Sequence, residues 1–289
     1  MLTKRRHIAH SVGFASALLA TLLFSACETY VDPVIDTDIP YTMYGFFNPT
    51  SDTQAVRIYP VDGILERGDA SPLDAVVTAI NLSNGLQVAW RDSVVTYRDG
   101  EIGHVYWGRM SVAYEGRYRL EVRRSDGVVT AVEADVPPLT EGQPDDGNLS
   151  RPTLPINVLW PDAPNLIDIS VVYETSNGNY EVLYGQEQIE TSEGRVVVVN
   201  FRQDAANIIQ DGAFLGFQRA ILYRMRMSLV VTNSEWTPPG GVFDPEVLVE
   251  RGVFSNVDNG YGFVGGGYRA EVEWVPSDTL MTRAGFRVE

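Results

Sequence analysis

Few side chains in this 289-residue sequence can do chemistry, and they stand apart from one another. Cys27 is the only cysteine, and beyond it the only histidine is His104. A single imidazole with no thiol nearby in sequence offers no Cys–His pair, no His-rich zinc set and no HExxH helix. No Gly-x-Ser-x-Gly elbow occurs, so a hydrolase would need an unmarked serine to meet His104. His104 lies in the alternating run Gly103-His-Val-Tyr-Trp107, where a histidine bonded to a cross-strand partner is the expected role. Asp145 and Asp146 are paired acids of the kind glycosidases use, but they fall in a Pro- and Gly-rich stretch where turn and solvation roles are expected. Gly260-Tyr-Gly-Phe-Val-Gly265 fits the GxGxxG spacing of dinucleotide sites. Gly266 and Gly267 follow it where a helix should begin, and no βαβ pattern surrounds it. No catalytic residue, cofactor or metal is expected.

Cys27 carries the strongest signal. Lys4, Arg5 and Arg6 precede an apolar run from Val12 to Phe24 and then Ser25-Ala26-Cys27, the three-part pattern of a secretory leader. The apolar run is short for a membrane span. Leu23-Phe-Ser-Ala-Cys27 resembles the lipobox of bacterial lipoproteins, in which the cysteine is diacylated on sulfur, the chain is cleaved before it and the new amine is acylated in turn; Phe24 stands where that pattern prefers Leu. Acyl chains at about 0.8 kcal/mol per buried methylene make an anchor without a transmembrane helix. The alternative is an ordinary leader in which the cysteine falls there by chance.

Removing residues 1–26 takes three of the 22 Lys and Arg and none of the 38 Asp and Glu. The remainder holds 38 acids against 19 cations, all Arg, a net charge of −19. Such a surface disfavours nucleic acid and electrostatic docking on anionic lipid. Residues 27–40 carry four acids and two prolines with no sustained period and read as an extended tether. Asp36 and Asp38 in it are read as solvated, with a contribution to a Ca²⁺ site as the alternative.

From Tyr41 the pattern becomes short apolar runs separated by turn residues. Strands are expected near 41–48, 54–60, 74–82, 86–96, 103–110, 116–124 and 128–136, with Asn84-Gly85, Asp99-Gly100 and Asp126-Gly127 as type I′ hairpin turns. In Gly116–Arg124, Tyr118, Leu120 and Val122 share one face, and Tyr118 follows Glu115-Gly116 as a tyrosine corner would. Pro137-Pro138 closes the block. Strands resume near 156–160, 165–175, 179–190, 195–202, 219–232, 247–255 and 268–275, with a helix at 203–211 or 213–218 and Val196–Val199 as a strand buried on both faces. The expected fold is all-β. An immunoglobulin- or fibronectin-like sandwich at 41–138 is followed, after a linker at 139–155, by a second β-rich domain at 156–289 with at most one or two short helices.

Aromatic residues among turn formers are the remaining lead. Trp236 sits in Asn233-Ser-Glu-Trp-Thr-Pro-Pro-Gly-Gly241, and Tyr261 and Phe263 interleave with glycines. These rings either form a binding lip, for which sugar faces are a suitable ligand, or fold back to plug the end of a sandwich.

Taken together, the lipobox and acidic tether, Leu73–Ile80, Gly116–Val122 leading through Asp126-Gly127 to Val136-Pro-Pro138, and Phe254-Ser-Asn-Val-Asp-Asn-Gly-Tyr-Gly-Phe-Val-Gly-Gly-Gly267 resemble the DUF4249-type lipoproteins of Bacteroidota-like bacteria. The likeness runs over about 41–275, with a 41–60 region shorter than the family's. It implies an outer-membrane accessory to a TonB-dependent receptor and brings no catalytic residues with it. Asn256 and Asn259, in its most specific segment, join Trp236, Tyr261 and Phe263 as candidate ligand or partner contacts. A surface glycan-binding module is the second functional expectation, and a hydrolase using His104 the third.

Overall fold

The computed structural model describes residues 40–61, 70–96, 100, 102–145, 155–214, 219–236 and 255–288. Cys27, the leader 1–26, the tether through residue 39 and all but the last residue of the strand expected at 247–255 lie outside the described residues.

Alternating patterns build the first half. Its strands are β1 (Tyr41–Phe47), β2 (Thr53–Pro60), β3 (Val76–Asn81), β4 (Gln87–Ala89), β5 (Arg91–Thr96), β6 (Ile102–Arg109), β7 (Arg117–Arg123) and β8 (Val129–Asp135). They form one layer in the order β1-β2-β6-β5 and another in the order β4-β3-β7-β8, the ABED and C′CFG arrangement of an immunoglobulin-like sandwich. The single strand expected over 86–96 changes layer at Trp90, which turns into the core between β4 and β5.

Tyr118, Leu120 and Val122 are fully buried, while Arg117 and Arg119 on the other face pair with Glu133 at 2.8 and 3.2 Å. Such exposed pairs contribute about 1 kcal/mol or less each. The tyrosine corner is present: the Ala113 N–H donates to the Tyr118 hydroxyl at 2.8 Å, Glu115 takes φ 58°, and the ring stacks on Phe47. The hairpin turns differ from expectation. Gly85 and Gly127 take positive φ but Asn84 and Asp126 do not; instead the Asn84 and Asp126 carboxamide and carboxylate oxygens accept the N–H two residues on, from Leu86 and Val128. These are Asx turns rather than type I′.

The second half comprises β9 (Gln143–Asp145), β10 (Ile156–Pro161), β11 (Asn165–Thr175), β12 (Gly178–Gly185), β13 (Ile189–Thr191), β14 (Gly194–Val199), α1 (Phe201–Phe214), β15 (Leu222–Thr232), β16 (Tyr261–Trp274) and α2 (Asp278–Ala284). A sheet β13-β14-β10-β9 and the strands β12-β11-β15-β16 enclose a second core around Trp160, Tyr173, Val197, Phe201 and Met227. Val197 and Val199 are buried, but Val196 and Val198 are only half-buried, so β14 has one wet face instead of none. The unforeseen α2 is capped at both ends: the Ser277 side chain accepts the Leu280 N–H, and Gly285 closes the helix in a left-handed conformation. No helix among the described residues is long and apolar enough to cross a membrane.

The expected domain boundary needs correction. Residues 143–145, placed in the linker, form β9, and one eight-stranded sheet, β12-β11-β15-β16-β1-β2-β6-β5, runs through both halves. Thr37–Glu289 accordingly form one compact unit. The reason is β16, expected only at 268–275. Its first part pairs parallel with β1, from Thr42 with Tyr261 to Phe47 with Gly266, and its second part pairs antiparallel with β15, from Thr232 with Gly267 to Met225 with Trp274. Val264 packs in the first core and Tyr268 in the second.

Tyr268 also pins the chain between the halves, donating to the Pro138 carbonyl and accepting the Thr140 N–H, each at 2.8 Å. Burial pushes its phenol up to about 12; burial, then the negative charge of Asp92, does the same to Tyr106. An unfolded chain releases these protons near pH 10 while the folded one keeps them. Stability is therefore fully present below about pH 10 and falls as pH rises toward about 12. Urea midpoints measured across that range should decline more steeply for the parent than for a Tyr106→Phe variant.

Candidate functional site

All five candidate contact residues lie along the path that leads into and beside β16. Asn256 brackets Val264 with its carboxamide, donating to the Val264 carbonyl at 2.9 Å and accepting its N–H at 3.1 Å. Asp258 makes a two-way backbone bridge with Ala131 of β8. Asn259 sits at φ 51°, donates from its side chain to the Val129 carbonyl at 3.0 Å and accepts the Thr130 hydroxyl at its own carbonyl. Asparagine tolerates this left-handed conformation better than most residues, and its amide here satisfies backbone that would otherwise end at a sheet edge. Ser255–Gly260 thus covers the edge of β8.

The rings turn inward as well. Tyr261 and Phe263 are buried, and half-buried Trp236 meets Phe263 edge-on with centroids 4.9 Å apart. The Trp236 carbonyl accepts from the Asn165 side chain at 2.8 Å, and the Asn233 N–H donates to the Gly266 carbonyl. Of the two roles open to these aromatics, the structure places them in the plug.

The glycines that mimic a nucleotide motif answer to the same packing. Gly262 takes φ 97°, and a Cβ there would lie 2.1 Å from the Met43 carbonyl oxygen; at Gly266 it would lie 2.2 Å from that of Asp135. At these two positions β16 approaches the backbone of its neighbours too closely for any side chain.

His104 has the cross-strand partner expected of it. Its Nδ1 lies 2.7 Å from the Asp92 carboxylate across β5 and β6, and the imidazole is buried. Ser93 follows Asp92 on β5 and therefore faces the opposite side of the sheet, where its hydroxyl accepts the Trp107 indole N–H at 2.9 Å. The nearest serine in the strand is thus turned away from His104.

Asp204 was missed in the sequence. It is buried on α1 and accepts the hydroxyls of both Tyr173 and Tyr184 on one carboxylate oxygen, each at 2.5 Å. Burial first and the carboxylate charge among the further causes push both phenols well above their ordinary value. The cluster locks the start of α1 to β11 and β12. Its signal was the apolar helix face Phe201, Ala205 and Ile208, on which position 204 also falls.

A shallow cleft of ≈ 420 Å³ opens on the outer face of β9, β10 and β14. Gln143, Asp145, Asn157 and Glu193 rim a floor of Leu159 and Val196. Its lining holds no cation. Compared with known proteins, the chain matches no family model and no curated sequence.

Proposed function

We propose that this is a lipid-anchored binding protein of the cell envelope, held at the outer membrane through Cys27 and serving a TonB-dependent receptor in nutrient uptake. The observation that carries this reading is the leader itself, Lys4-Arg-Arg6, the apolar run to Phe24 and Ser25-Ala-Cys27. The engagement of potentially reactive side chains in the fold supports binding over catalysis: His104 is buried against Asp92, and one oxygen of buried Asp204 accepts the hydroxyls of two tyrosines. The net charge of −19 left once residues 1–26 are removed, 38 acids against 19 Arg, suits a body held near, and not pressed onto, an anionic bilayer. The glycan reading has weaker support, because the rings it rested on pack into the joint around β16.

Fractionation of cells expressing the full chain provides the test. The parent should pellet with outer membranes and incorporate labelled palmitate, and Cys27→Ser should be released to the soluble fraction without label, since the anchoring energy resides in the acyl chains. Label or pelleting retained in Cys27→Ser would overturn the anchor. Detergent-solubilised envelopes in which the parent never recovers a TonB-dependent receptor would count equally against the partnership.

A further inference from the structure

Among the described residues three sheets present six edges, and most of these are closed to further pairing. β4, β9 and β13 are three residues long, and β8 is covered by the Asp258 bridge and the Asn259 side chain. β5 carries Asp92 turned inward against buried His104. Short edges, covered edges and inward-pointing charges are the devices by which sheets resist adding a strand.

Among the described residues, β12 has none of these over most of its length. Gly178-Asn-Tyr-Glu-Val-Leu-Tyr-Gly185 holds no Lys and no Pro, forms the outermost strand of the eight-stranded sheet, and pairs regularly with β11 until an irregularity at its Leu183–Gly185 end. Along such an edge, alternate residues direct N–H and C=O groups away from the sheet. On its outer face stand Asn179, Glu181 and Leu183, the last 78% exposed. On its inner face Tyr180 and Val182 are only partly buried against the second core, leaving apolar surface that a further strand would cover.

We propose that β12 is a docking edge for an extended segment of a partner protein in which apolar residues alternate with Arg or Lys. The apolar positions extend the core beside Tyr180 and Val182, and the cation meets Glu181. Charge selects this occupant over a second copy of the chain: antiparallel pairing centred on Glu181 sets two carboxylates opposite each other, and each copy without residues 1–26 brings a net charge of −19, 38 acids against 19 Arg. The proposal rests on reading the molecule as a binding protein and names the edge through which it binds.

Amide hydrogen exchange on the purified protein tests it, using as probes a synthetic peptide alternating Arg and Val and a counterpart alternating Glu and Val. The Arg/Val peptide should slow exchange within Asn179–Leu183 by about tenfold or more at saturation while the Glu/Val peptide does not. Glu181→Lys, a change at an exposed side chain, should reverse that preference, and Leu183→Lys should weaken binding of the Arg/Val peptide. No protection by either peptide, equal protection by both, or a preference unmoved by Glu181→Lys would overturn the proposal. Neither the Cys27→Ser fractionation nor receptor recovery depends on β12, so failure here is distinguishable from failure of the anchor or the partnership.

Discussion

Gly262→Ala is expected to destabilise the protein by about 3 kcal/mol or more, combining left-handed backbone strain with an overpacking clash. The residue sits at φ 97° opposite Met43 in the parallel β1–β16 pairing, and a methyl group there would meet the Met43 carbonyl oxygen at 2.1 Å. Gly85→Ala is the matching control, since Gly85 also has positive φ, 73°, but nothing lies within 4 Å of its would-be Cβ. That variant should show the strain alone, about 1–2 kcal/mol. Urea unfolding followed by circular dichroism compares the two. Equal losses would mean that the close approach of β16 to β1 is not a feature of the folded protein. Because typical domains are stable by only about 5–15 kcal/mol, the expected loss is a large share of the total.

The second large effect belongs to Asp204. Asp204→Ala removes the acceptor of two phenol hydroxyls, and each buried donor left without a partner costs about 1–3 kcal/mol. A combined loss of about 2–5 kcal/mol follows. The informative comparison is the triple variant Asp204→Ala, Tyr173→Phe, Tyr184→Phe, in which donors and acceptor disappear together. It should recover much of the stability lost in the single variant, because the partner left over is the N–H of exposed Asn200, which the Tyr184 hydroxyl accepts at 2.9 Å and which water can take up. If the single change is silent, or the triple no better than the single, the cluster does not carry the cost assigned to it. Denaturant midpoints with unchanged m-values make the reading unambiguous.

These two sites also mark where sequence and structure part. A strand such as β7 is legible because one face packs and the other is wetter, so a period of two is written directly into residues like Tyr118, Leu120 and Val122. The corner at Tyr118 and the cross-strand pairing of buried His104 were legible for the same local reason. Tyr261–Gly267 was not. A glycine-rich stretch has no strand signal of its own, and it is extended only because β1, distant in sequence, supplies its hydrogen bonds. Asn256 and Asn259, singled out by the resemblance, complete the hydrogen bonding of neighbouring backbone, which a sequence does not display. Asp204 lay hidden because an acid on a helix reads as solvated until the tyrosines that meet it are known from other strands. The caps of α2, Ser277 and Gly285, carried a readable signal that went unused.

The placement of β16 has a bearing on the order in which the molecule can be assembled. Strands β2 through β8 are synthesised soon after β1, yet the partner on the open side of β1 is residues 261–266, close to the end of the chain. Throughout most of synthesis the immunoglobulin-like half therefore carries a bare parallel edge, the slow and association-prone kind of contact to complete. Among the described strands the latest to be made is the one that seals the first, so neither half reaches its final form before the other has been built.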